Sequence, residues 1–107
     1  MGCYGFRRAC SQQITIRTPN PPDSYTEMLL VISQDEQNLI VKDMSELETD
    51  EYCVIVNLTQ EETKRFVAAV PAYLQLRCYS SPYDAPGSAE WPLEVWPTLD
   101  DRILGGA

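Results

Sequence analysis

Two stretches of this chain, "YCVIVNL" at residues 52–58 and "AYLQLRCY" at 72–79, alternate apolar and polar side chains with period two. Successive side chains along a strand point to opposite faces, so this alternation specifies strands with one face on a core. Tyr52, Val54, Val56 and Leu58 share one face of the first, opposite Cys53, Ile55 and Asn57. In the second, Leu74, Leu76 and Cys78 face the core while Tyr73, Gln75, Arg77 and Tyr79 face out. Whatever the chain folds into must pack these two strands side on to a common interior.

Between them lies "TQEE", which fits a capping box: the Thr59 side chain accepts from the amide of Glu62, and the Glu62 carboxylate returns to the amide of Thr59. A short helix over residues 59–66 is expected. Glu61 and Glu62 stand near its positive end and Lys64 and Arg65 near its negative end, each placement worth about 0.3–1 kcal/mol. Two turns are too few for independent stability, so Phe66 is expected to anchor the helix to the core. Its role is architectural, carrying the chain from one sheet to another.

The same logic extends along the chain. "QITIRT" (13–18) pairs Ile14 with Ile16 on one face and reads as a half-buried strand. "TPNPPD" (18–23) is a connection that admits neither helix nor ladder. "YTEMLLVISQ" carries an unbroken apolar run from Met28 to Ile32, as a central strand covered on both faces does. "DEQN" turns it into "LIVKD", giving a hairpin over 25–43 whose turn has no glycine to define its geometry. The acidic run Asp43–Glu51 reads as an exposed connection with room for a helical turn, and it lacks the glycine of a calcium loop. A turn-rich loop over 80–88 leads to a last strand, "EWPLEVW", with Trp91, Leu93 and Val95 on one side. Pro92 cannot donate to a ladder and marks that strand as an edge or as bulged.

At 107 residues, this is one domain spanning 1–107. Its 16 acidic residues against 8 basic ones give a net charge of −8, which repels phosphate backbones and anionic lipid and makes a basic protein surface the easier partner. Neither a signal-peptide core nor a long apolar run is present, so a non-exported protein without a membrane span is expected. Phe6 stands where an acylation signal at Gly2 needs Ser or Thr. In a reducing compartment Cys3, Cys10, Cys53 and Cys78 are free thiols, with Cys53 and Cys78 acting as buried apolar groups. Their spacing suits no metal site, and no cofactor is implied.

Enzymatic function has little to build on. Without histidine, a Ser or Cys nucleophile lacks its usual base, the carboxylates scatter over turns, and Lys64 is a solvated charge in a last helical turn. No catalytic residue, cofactor-binding residue or small-molecule substrate is assigned. The candidates for partner binding are Tyr79, Tyr83, Trp91 and Trp96, aromatics in and around the 80–91 loop. Replacing Tyr83 and deleting Pro86–Gly87 is expected to weaken binding and leave folding intact. Trp91 also reads as a core residue capped by the tyrosines.

Several motifs together carry a resemblance: Phe6-Arg7-Arg8, Gln34-Asp35, the corner Leu58 to Thr63 with Phe66, Leu74-Gln75-Leu76-Arg77, and Leu99-Asp100-Asp101. This set resembles a family of small proteins encoded in bacteriophages and prophages of Gram-positive gut bacteria. The resemblance spans nearly the whole chain. It implies an all-β fold, an immunoglobulin-like β-sandwich of about six to seven strands with the short helix at 59–66. It implies a non-enzymatic structural or accessory component of the particle, in the tail or its attachment region, whose partners are other phage structural proteins or further copies of itself. The alternative is a soluble adaptor or assembly factor that binds a host or phage protein outside the particle. Where relatives have Gly, Thr and Pro after the arginines, this chain has Ala9, Cys10 and Ser11; its longer loop "SSPYDAPGSAEW" is where a member-specific contact is expected.

Overall fold

A computed structural model describes residues 5–18, 20–88 and 90–105. Gly2 and Cys3 lie outside the described residues. Among these residues eight strands run in the order β1 (Gly5–Arg7), β2 (Gln12–Arg17), β3 (Glu27–Gln34), β4 (Gln37–Asp43), β5 (Glu48–Asp50), β6 (Cys53–Leu58), β7 (Ala72–Tyr79) and β8 (Trp91–Trp96), with one helix, α1 (Gln60–Lys64), between β6 and β7. A sheet of order β1-β8-β7-β3-β4 faces one of order β2-β6-β5. Pairs β3–β4, β5–β6 and β7–β8 are antiparallel hairpins, β1 runs parallel to β8, and the chain changes sheets between the hairpins. This is the immunoglobulin-like sandwich.

The alternating segments bury the faces expected of them. Val54, Val56 and Leu58 from β6 meet Leu74, Leu76 and Cys78 from β7, with Leu30 and Ile32 of β3 between them and no exposure at either. Tyr52, grouped with the inward face by sequence, precedes β6 and is exposed. Six strands are those expected; β1 and β5 are additional, each three residues long and too short to show a period. α1 is shorter than the expected span, because Arg65 already closes it. Thr59 caps it with both bonds of the capping box in place, and Phe66 is buried edge-on against Phe6, ring centroids 5.0 Å apart.

Four expectations need correction. The proline-rich connection contains a 3-10 turn, Pro22–Ser24, with Pro22 at its start where a missing N–H costs nothing. β3 is central but covered on one face: Met28, Leu30, Ile32 and Gln34 are buried while Leu29, Val31 and Ser33 are only half-buried. β8 is interior rather than an edge, yet β7 pairs with Trp91–Leu93 and β1 with Glu94–Trp96, so Pro92 sits where the strand has a neighbour on one side only. Cys53 faces outward and is half-buried, whereas Cys78 points into the core; both are free thiols, as is Cys10.

The acidic run forms a 3-10 turn, Met44–Glu46, capped by Asp43, and then the exposed strand β5. The hairpin turn is Asp35-Glu36, both left-handed at φ 54° and 64°, the geometry of a type I′ turn. Gly5 has no side chain because β1 lies so close to β8 that a Cβ there would overlap the Glu94 carbonyl oxygen.

Candidate interaction surfaces

A cluster of polar side chains gathers at one end of the sandwich, around α1. Arg8 donates from Nε to the Phe66 carbonyl at 2.7 Å and from its terminal nitrogens to the Lys64 carbonyl at 3.2 Å and the Asp101 carboxylate at 2.8 Å. Gln34, buried at the end of β3, donates to the carbonyls of Val67 and Val70, each at 2.8 Å, and accepts from the Val67 amide at 2.7 Å. The Thr63 hydroxyl donates to the Cys10 carbonyl, and Gln60 exchanges two bonds with the backbone of Leu104. These bonds tie β1, β3, the segment after α1 and the C-terminal segment into one clamp.

Within the clamp Lys42, pointing inward from β4, meets Glu62 at 2.9 Å with both side chains largely buried. Burial raises the Glu62 pKa, but the Lys42 ammonium and the Thr59 amide favour the carboxylate more strongly, and the net position is below the ordinary value. The Glu62 carboxylate is therefore ionised and internally satisfied. Its chemistry is consumed in holding α1 to β4.

A second surface is the outer face of the five-stranded sheet. Leu29, Val31, Val41, Tyr73 and Tyr79 lie on it; Val41 is 52% exposed and Tyr73 43%. The register sets Val31 beside both Val41 and Gln75, and Leu29 beside both Arg77 and Asp43. The apolar run of β3 is the signal for this face: it reads as double coverage because its outward residues are as apolar as its inward ones.

A third is the cleft between the sheets along β2. Ile14, Ile16 and Arg17 of β2 face Leu74, Trp91 and Leu93 across a cavity of about 300 Å³. Three strands cannot cover five, and Trp91 remains 39% exposed at the uncovered flank.

The four aromatic candidates do not form one patch. Tyr83 stands fully exposed at the loop tip, and Tyr79 lies on the outer face at the end of β7. Trp91 pairs with Leu74 and lines the inter-sheet cleft. Trp96 lies at the clamp end of β8 on the opposite face from Trp91, its indole donating to Glu94 and its ring 5.9 Å from the Arg7 guanidinium. Five residue steps along the strand, about 17 Å, separate the two tryptophans.

The 80–88 loop is also less detachable than its sequence implies. The Cys78 amide donates to the Pro86 carbonyl, Gly87 bridges Arg77, and the Ser88 amide donates to the Leu76 carbonyl while its hydroxyl oxygen accepts from the Leu76 amide. Residues 86–88 thus continue the pairing of β7 beyond β8, and deleting Pro86–Gly87 would unpick it. Burial and the nearby Asp84 carboxylate push the Cys78 thiol up, so it stays an inert apolar filler.

Among the described residues, no three His, Cys, Asp or Glu side chains come together as a metal-holding group, and no helix is long and apolar enough to cross a membrane. Compared with family models, curated proteins and solved structures, the chain matches none.

Proposed function

We propose that the protein is a non-enzymatic structural or accessory component of a phage or prophage particle, in the tail or its attachment region, working through contacts with other structural proteins or further copies of itself. One observation supports this reading above the others. Four of the five motifs that carry the resemblance, those holding Arg8, Gln34, Glu62 with Phe66, and Asp101, send side chains into the same clamp. Arg8, Gln34, Glu62, Phe66 and Asp101 therefore serve a shared architecture. A rigid sandwich locked at one end and apolar on its outer face suits a part that is built into an assembly.

Mass spectrometry of particles purified from the induced host tests it. A fixed copy number relative to the major capsid and tail proteins is the expected result. Abundance in the lysate with absence from particles would replace this reading with that of an adaptor or assembly factor.

A further inference from the structure

An antiparallel sheet with one solvated face ordinarily turns polar side chains to the water. The outer face of the five-stranded sheet departs from this at its middle. Val31 has Val41 beside it on β4, Leu29 is the next outward residue along β3, and Val41 is 52% exposed. Tyr73 and Tyr79 stand at the two ends of the same face on β7. The connections after β4 and β7 do not rise over it. From β4 the chain passes through Met44–Glu46 to β5 in the other sheet, and residues 84–88 pair back along β7 in the sheet's own plane.

Charge is placed symmetrically about this strip. On the row of Leu29, strand pairing sets Asp43 on one side and Arg77 on the other. Among the described residues Arg77 has no ion pair. Asp43 takes the Ser45 amide and hydroxyl on Oδ1, so its Oδ2 can accept a further donor.

We propose that this face joins two copies of the chain, sheet against sheet, about a two-fold axis lying between them along β3. Rotation about that line exchanges the strands on either side of it, so β4 of each copy lies over β7 of the other. Asp43 then meets Arg77 twice, Leu29 packs on Leu29, Val31 on Val31, and Val41 on Gln75. An axis along β4 or β7 would instead set Asp43 or Arg77 against itself. The strands of the two copies cross at about 30°, as twisted sheets do when they pack face to face.

The rest of the charge tolerates this arrangement. The two acidic β5 strands fall in the outermost layers, three sheet spacings or about 30 Å apart, beyond the screening length of about 8 Å in physiological salt. Glu27, the one charged residue of β3, is set against its own copy at the rim and weakens the contact. Three strands overlap in each copy, about 14 Å by 20 Å, well short of the roughly 800 Å² per partner of a standard interface, so the association is weak. The assignment rests on register and charge and not on the phage reading.

Sedimentation equilibrium of the full chain up to millimolar concentration tests it. A monomer–dimer equilibrium is expected, with the dissociation constant raised about tenfold or more by Val31→Lys, which brings two ammonium groups together at the axis. Thr49→Lys on β5 makes the same change of charge and is expected to leave it unaltered. Arg77→Gln and Asp43→Asn, the latter keeping an oxygen to cap the 3-10 turn, should each raise it about fivefold, and together no more than either alone, as a direct pair requires. Glu27→Gln should lower it. Circular dichroism confirms folding, and Arg77→Gln, at an exposed position, decides if Val31→Lys is unfolded. A monomer at every concentration, a folded Val31→Lys that dimerises as the wild type does, simple additivity of Arg77→Gln and Asp43→Asn, or a dimer weakened by Glu27→Gln overturns the proposal.

Discussion

The two ends of the sandwich are held by different means. At the clamp end, side chains reach across the sequence: Arg8 to Phe66 and Asp101, Gln34 to Val67 and Val70, Lys42 to Glu62. At the loop end, the contacts run mainly to backbone, within the loop from Ser80 and Ser81 to Asp84 and between strands from Thr18 to Tyr52 and Thr26 to Tyr79. Among the described residues the left-handed non-glycine positions, Ala9, Asp35, Glu36 and Ala69, all lie at the clamp end. Strained backbone persists only where surroundings over-determine it, and there the clamp supplies the determination. The difference teaches that a sandwich can close one end rigidly and leave the other to vary in length and composition.

The most severe test is Phe66→Ala, which removes the ring packed on Phe6 and is expected to cost about 3–5 kcal/mol in chemical denaturation. A loss no larger than that of a surface substitution would mean the clamp does not depend on its apolar anchor. Next is Lys42→Met, which leaves the Glu62 carboxylate buried and unpaired at a cost of about 3 kcal/mol. The acid response sharpens this. Because the folded pKa of Glu62 is depressed, its contribution is complete above the unfolded value near 4.5 and is lost as pH falls through the lower folded value. Denaturation midpoints measured from neutral pH into that range should therefore fall in the wild type, and fall less in Lys42→Met.

Arg8→Ala removes three charge-assisted bonds and should cost about 2 kcal/mol, with hydrogen exchange rising at both the segment after α1 and the C-terminal segment. Exchange rising in only one of them would show that the two are held separately. Glu36→Gly relieves a left-handed residue in the hairpin turn and should stabilise by about 1 kcal/mol. At the opposite end Tyr83→Ala should move stability by less than about 0.5 kcal/mol. A larger shift would remove the contrast between the ends.

Local patterns make much of this legible in the sequence. The alternation in β6 and β7 is a two-residue period set by backbone pleat, and the Thr59 to Glu62 box is a contact within four residues, so both could be read directly. The hairpin was visible, its turn geometry was not, because Asp35 and Glu36 are driven left-handed by the strands they join rather than by their own preference. The aromatic candidates were read as neighbours because they are near in sequence; strand pairing places Trp91 and Trp96 on opposite faces of β8.

What the sequence determined by itself was six of the eight strands seen among the described residues, the buried faces of β6, β7 and β8, and where the helix begins, since each follows from short-range stereochemistry. What only the tertiary structure decided was which residues from distant segments meet: Arg8 with Asp101, Lys42 with Glu62, and the pairing that sets β2 at the end of its sheet among the described residues. Those contacts depend on the order of strands in the two sheets, and no local period encodes that order.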